Sequence, residues 1–238
     1  MSFTSPPPEH YPVAITKKLI LDSFSISVPQ TGLFFAAAAF LVSVPVFFQA
    51  PLVRALPWIS LDGTLVWLGV ALLLLSRPAT ARWGDLLIGF TWTWLAGSIY
   101  WGWLRWEPLL HLPVEAIGLP IVIWCLMRGY GKIGAWFYLG SLFGTAVTDL
   151  YCYVVRLIPY WRQVMQVDLS EAGIILKAAL AEIWSLWGVA CAGLLVLLLL
   201  WVGSLPLRSQ HVHHWAFSGA VLSAILVDGL FIIAAAIA

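Results

Sequence analysis

Long apolar runs, most of them closed by a basic residue, a proline or both, set the pattern of this chain. A helix needs roughly 20 apolar residues to cross the hydrocarbon layer of a bilayer. The first such run extends from Gly32 to Val53 and stops at Arg54 and Pro57. Others run from Leu61 to Leu75, Leu86 to Leu104, Leu109 to Met127, Ile133 to Val155, Ile183 to Leu205 and Trp215 to Ala238. The second is short, and Trp58 and Trp67 suit its ends as interfacial anchors. The pattern predicts an all-α, polytopic transmembrane helix bundle of about seven spans, one domain over residues 31–238. The number becomes six if the fourth segment, broken by Pro108, Pro113 and Pro120, is re-entrant.

Two stretches depart from this pattern. Residues 1–30 begin with Pro6-Pro7-Pro8, Glu9 and His10 ahead of Lys17-Lys18, and the following apolar stretch is broken by Asp22 and three serines. A secretory signal needs a basic start and an unbroken apolar core, so a disordered tip with a short interfacial segment is expected instead. The second stretch is Arg156 to Ala181. Pro159 interrupts it, and Tyr160-Trp161-Arg162 has the aromatic-plus-basic character of the headgroup level. Asp168 fits an N-cap with Glu171 as its capping-box partner, which predicts one long helix running through Lys177 and Glu182 into the sixth span. No internal repeat is visible.

Composition agrees with a membrane location. Hydrophobic residues make up 62% and charged residues 10%, against about 25% charged in soluble domains. The net charge of +1 offers no basic field for a nucleic acid. With seven spans, Lys17, Lys18, Arg77, Arg82, Arg128, Lys132 and Arg208 fall on the amino-terminal side. Arg54, Arg105, Arg156, Arg162 and Lys177 fall on the other, and the positive-inside rule puts the first group in the cytoplasm. Cys125, Cys152 and Cys191 lie in apolar runs without metal or redox spacing and read as small buried hydrophobes.

Ionisable residues inside a bilayer are costly, so Glu115, Asp149, Asp228 and Glu182 are the candidates for chemistry. Tyr138, Ser141, Thr145, Asp149, Cys152 and Arg156 fall on one helical stripe with Tyr153 beside it, a polar seam that must face protein or water. The same helix carries Gly140-x-x-x-Gly144, which permits close helix approach. Asp149 is therefore either an interhelical brace or a site. Glu115 lies in a segment from Glu107 to Pro120 that cannot form one regular helix, and discontinuous helices mark binding sites in transporters. If Pro113 opens a helix, Glu115 instead falls in its first turn and serves the dipole. Arg105 and His111 are close enough in sequence to pair with Glu107 or Glu115. Asp228 is mid-span and either finds a partner from another helix, for which Asp149 and Arg156 are candidates, or stays protonated. Glu182 begins its span and reads as interfacial. The ligand-binding set is thus Glu115, Asp149, Asp228, Arg105, His111 and Tyr153.

His211, His213 and His214 lack further ligands nearby, so no metal site is assigned and a titrating loop is expected. The tryptophans around the third span, Trp92 and Trp94 included, read either as packing surface or as a flat wall for a ring-shaped or isoprenoid ligand. No nucleotide-binding, metalloprotease or hydrolase motif is present, so no catalytic residues and no cofactor are assigned.

Three stretches carry a resemblance: Phe40 to Arg54, Trp83 to Phe90, and Ala96 to Pro120 with its Trp101-Gly-Trp-Leu-Arg-Trp-Glu-Pro108 segment. They resemble a family of uncharacterised multi-pass membrane proteins of cyanobacteria. The resemblance implies a plasma or thylakoid membrane location and brings no catalytic residues with it. Two roles follow. One is a small-molecule or ion transporter with its acids at the broken helix. The alternative is a scaffold or assembly factor that partners a photosynthetic membrane complex, or that binds a pigment or quinone. The bilayer is the partner common to both, and the sequence leaves the oligomeric state open.

Overall fold

The computed structural model describes residues 29–237, and among them every regular element is helical. The expectations for the amino-terminal tip and for Lys17 and Lys18 concern residues outside those described. The helices are α1 (Gln30–Ala55), α2 (Pro57–Leu75), α3 (Ala81–Ile99), α4 (His111–Glu115) and α5 (Leu119–Arg128). They continue with α6 (Lys132–Val154), α7 (Ile158–Val164), α8 (Leu169–Ile183), α9 (Leu186–Ser204) and α10 (Val212–Ile237).

Five segments are long and apolar enough to cross a membrane: α1, α2, Pro108–Arg128, Leu186–Arg208 and α10. A sixth is added if α6 and α7, bent by 100° at their junction, count as one broken span. The sharp bend thus follows the fifth apolar run, and Pro159 lies just beyond it, in the first turn of α7, where a proline is tolerated. α3 has 19 residues but is not among the five. It packs against α2 and α6, and it buries Thr91, Trp94 and Ser98 against protein. A helix enclosed by others can afford that polarity, whereas a lipid-facing one cannot.

Small residues set the packing. α10 lies between α1 and α6 and buries Ala216, Ser218, Gly219, Ala220, Ser223 and Ala224. Gly140 and Gly144 of α6 meet Ala220 and Ala224, so the Gly-x-x-x-Gly pair is where these two helices approach closely. α3 and α6 cross at Gly89 and Gly134, where a Cβ on either would overlap the other helix's backbone. The main apolar cluster joins Phe34, Leu86, Phe90, Trp94, Ile133 and Phe137 across these contacts. Trp67 packs edge-on against Phe90 and Trp94 in this core, not at an interface; Trp58 is exposed at the start of α2.

The long helix expected from Asp168 into the sixth span is two helices. Ser185 interrupts it: its Oγ accepts from Gly188 N–H at 3.0 Å, and Gly188 lies against the carbonyls of Glu182 and Ile183. A serine able to cap a new helix start competes with the continuing ladder, and here it wins. Asp168 does occupy the N-cap position of α8, with no side-chain capping bond.

α6 ends in a Schellman arrangement, with Arg156 N–H on Tyr153 C=O and Leu157 N–H on Cys152 C=O. Arg156 takes the left-handed conformation there, φ 61°. That turn sends the chain sideways into α7, which lies across the end of the bundle that holds the fourth segment.

Candidate functional site

The fourth segment is broken as its prolines require. Pro108–Leu110 is a single 3-10 turn, α4 follows, then a second 3-10 turn at Ala116–Gly118, then α5. Glu107 caps the first turn, its Oε1 accepting from Leu109 N–H at 3.3 Å. Tyr138 of α6 holds the second break: its hydroxyl donates to Glu115 C=O and accepts from Gly118 N–H at 3.1 Å. Backbone groups freed by a broken helix are satisfied this way at membrane depth. Glu115 is the last residue of α4, so the first-turn dipole role considered for it does not apply.

His111 sits at the centre. Its Nδ1 lies 2.9 Å from Asp149 Oδ1 of α6, and its Nε2 lies 4.0 Å from Glu115 Oε1, one turn along α4. The three side chains are between 12% and 18% exposed, so the imidazole and both carboxylates are largely removed from solvent. An imidazole has one donor and one acceptor when neutral and two donors when protonated. The doubly protonated ring can bond to Asp149 and attract Glu115 at once. The 4.0 Å gap is beyond hydrogen-bond reach and within the span one water bridges.

Aromatic rings enclose the rest of His111. Tyr100 lies 4.4 Å from it, Trp161 5.8 Å and Trp101 6.0 Å, centroid to centroid. Tyr100 and Trp101 begin a π-helical turn, Tyr100–Leu104, that continues α3. One wider turn rotates the following side chains relative to an ideal α-helix, and such turns recur at functional sites. Trp161 comes from α7. It stacks on Trp101 at 5.9 Å and 13°, and its Nε1 donates to Arg105 C=O at 3.0 Å.

α7 is pinned a second time by an ion pair, Arg162 Nη2 to Glu107 Oε1 at 2.7 Å. The hydrogen bond from Arg162 holds the Glu107 carboxyl below its ordinary value of 4.5. Both side chains are more than a third exposed, so this bond is far more open to solvent than the His111 cluster beneath it.

Among the residues singled out from sequence, the structure brings Glu115, His111 and Asp149 together. Arg105 pairs with neither Glu107 nor Glu115: its Nη1 donates to Trp101 C=O at 3.1 Å and its guanidinium lies 5.6 Å from the Trp106 ring centroid. Asp228 finds a different partner from those considered. Thr148 Oγ1, next in sequence to Asp149, donates to Asp228 Oδ2 at 2.9 Å, while Arg156 is exposed. Tyr153 is 67% exposed and makes no hydrogen bond or ring contact with the cluster. Trp161, Tyr138 and Tyr100 complete the site without having been in the ligand-binding set; Tyr138 is marked by the polar stripe it shares with Asp149, Trp161 by the headgroup-like Tyr160-Trp161-Arg162 run, and Tyr100 by nothing.

Two other polar groupings are present. Gln49 Nε2 donates to Trp94 C=O at 2.8 Å and to Ser98 Oγ at 3.0 Å, and Trp94 Nε1 donates to Ser60 C=O at 2.8 Å, tying α1, α2 and α3. Here Trp94 serves packing and interhelical bonding. His211 stacks on His213, His214 meets both edge-on, and His213 and His214 also pack against Trp136; among the described residues no cluster has metal-holding geometry.

Residues 38–236 match the family model described as "Protein of unknown function (DUF3120)", and the chain belongs to that family. No curated protein and no solved structure matches it.

Proposed function

We propose that this multi-pass membrane protein is a transporter that uses the proton as its moving or coupling ion, with Glu115, His111 and Asp149 as the proton-binding centre. One observation carries the reading: an imidazole held between two carboxylates at the joint of a broken segment, enclosed by aromatic rings. Intramembrane acids and histidines arranged in chains mark proton relays, and broken helices mark the sites of carriers. The imidazole can take a proton at one nitrogen and release it from the other, which suits transfer between two acids. In this reading α7 is the lid on one side. Trp161 blocks the approach to His111, and the exposed Arg162–Glu107 pair is the contact that must open. Tyr138 closes the other side by bonding the backbone at the second break.

The test is proton flux into vesicles reconstituted with the full chain and loaded with a pH-sensitive dye, driven by an imposed pH gradient. Asp149→Asn and Glu115→Gln should each reduce flux to the protein-free background. Asp149→Glu should restore part of it. Wild-type vesicles with no flux above background, or flux unchanged in both neutral variants, would remove the proposal and leave the cluster as an interhelical brace.

A further inference from the structure

We infer a second site, on the opposite end of the bundle from His111: an anionic phospholipid bound with one acyl chain in the groove between α1, α2 and α3, and its phosphate against Arg77 and Arg82. A cavity of about 320 Å³ lies there, lined by Ala37, Phe40 and Leu41 of α1, Leu74 of α2, and Trp83 and Leu87 of α3. Every lining side chain is apolar, so the cavity suits a hydrocarbon chain rather than a polar solute. Its depth also fits. Trp83 is in the first turn of α3 and Phe40 is ten residues into α1, about 15 Å along the helix at 1.5 Å per residue. Trp83 is fixed by stacking on Phe34 at 4.2 Å, which makes it a rigid wall at the headgroup end.

Charge names the lipid. Arg77 comes three residues after Leu74, just past α2, and Arg82 precedes Trp83 in the first turn of α3, so both lie at the end of the bundle where the groove opens; both are exposed, and Arg82 also lines a neighbouring cavity with Gln30 and Arg208. Arg82 Nη1 donates to Gln30 Oε1 at 2.7 Å, which holds its guanidinium over the start of α1. Among the described residues the only acid at this end is Asp85, and its two oxygens accept the backbone N–H groups of Ile133 and Gly134. Arg128, Lys132 and Arg208 share the end, so it presents five cations and one committed carboxylate. Basic pockets at helix ends attract anionic headgroups in this way. A zwitterionic lipid would fill the groove equally well and gain less from the arginines.

The experiment is native mass spectrometry of the full chain in detergent, titrated with phosphatidylglycerol and phosphatidylcholine of the same acyl chains. Phosphatidylglycerol should be retained with a preference of about tenfold or more, since each of two basic residues attracts the headgroup. The Arg77→Ala/Arg82→Ala variant should lose that preference while still binding both lipids weakly. Ala37→Phe, which fills the groove, should weaken both. Equal retention of the two lipids by the wild type, or a preference that survives the double arginine variant, would each overturn the assignment.

Discussion

Asp85 and Asp149 both engage α6, one at its first turn and one near its last, and their partners differ in kind. Asp85 reaches from α3 and accepts Ile133 N–H at 2.9 Å and Gly134 N–H at 3.2 Å. Those donors are orphans at any helix start, and the carboxylate satisfies them as a cap would. Asp149 meets an imidazole at 2.9 Å, a partner that can gain or lose a proton. An amide N–H offers no such exchange. Burial alone therefore does not separate a brace from a site; what the carboxylate is bonded to does.

The largest effect should come where Asp85 acts, because sterics and hydrogen bonding coincide there. Gly134 lies so close to α3 that a Cβ would overlap the Asp85 carbonyl and crowd the Gly89 amide. Gly134→Ala should cost about 3 kcal/mol, the upper end for overpacking, because rigid backbone rather than a side-chain tip must give way. The check is the fraction of monodisperse protein on gel filtration and its Tm. A variant as stable as the wild type would mean that the two helices separate freely, and that Asp85 is not the rigid cap described.

The direct comparison is a pair of identical substitutions. Asp85→Asn leaves one backbone donor facing an amide N–H₂, a loss of about 1–3 kcal/mol for a buried unsatisfied group, and should not alter proton flux per folded molecule. Asp149→Asn keeps a hydrogen bond, because the His111 tautomer with Nδ1–H can donate to the amide oxygen. Its stability should stay within about 1 kcal/mol of wild type while flux falls to background. If both variants lose stability alike and neither changes flux, the two carboxylates are the same kind of brace.

Much of this arrangement can be traced to local signals. The apolar runs mark the helices, and the prolines between Pro108 and Pro120 mark the break. The Asp149 stripe and the Gly140–Gly144 spacing sit on the faces of α6 that pack. The pairing of His111 with Asp149 joins residues 38 positions apart, and helical periodicity has no information about which face meets which neighbour. Asp228 shows the same limit: a mid-span acid signals that a partner exists, while only packing selects Thr148. Asp85 carried no sequence signal as a cap because the helix it caps is not its own. The break at Ser185 is a close contest between a capping serine and helix continuation, which composition does not decide. The bend after Val154 needs a left-handed residue, and arginine there does not announce one as glycine would.

The smallest expected effect tests how softly the lid is held over Asp149 compared with the rigid grip of Asp85. The Glu107 carboxyl lies below its ordinary value of 4.5 because Arg162 bonds to it. A depressed carboxyl contributes stability that is present above the ordinary value and is lost as pH falls through the lowered one. The Arg162–Glu107 bond should therefore hold α7 down across the neutral range and through about pH 5, and release it only in stronger acid. Because the pair is exposed, the change should be local to α7, with α6 unaffected. Hydrogen exchange over residues 158–164, corrected for intrinsic rates and set against the Arg162→Gln variant, measures it. Wild-type protection should fall to the variant's level only below the ordinary carboxylate range. Release already at about pH 6 would place the controlling proton elsewhere, with the His111 cluster beneath the lid as the first place to look.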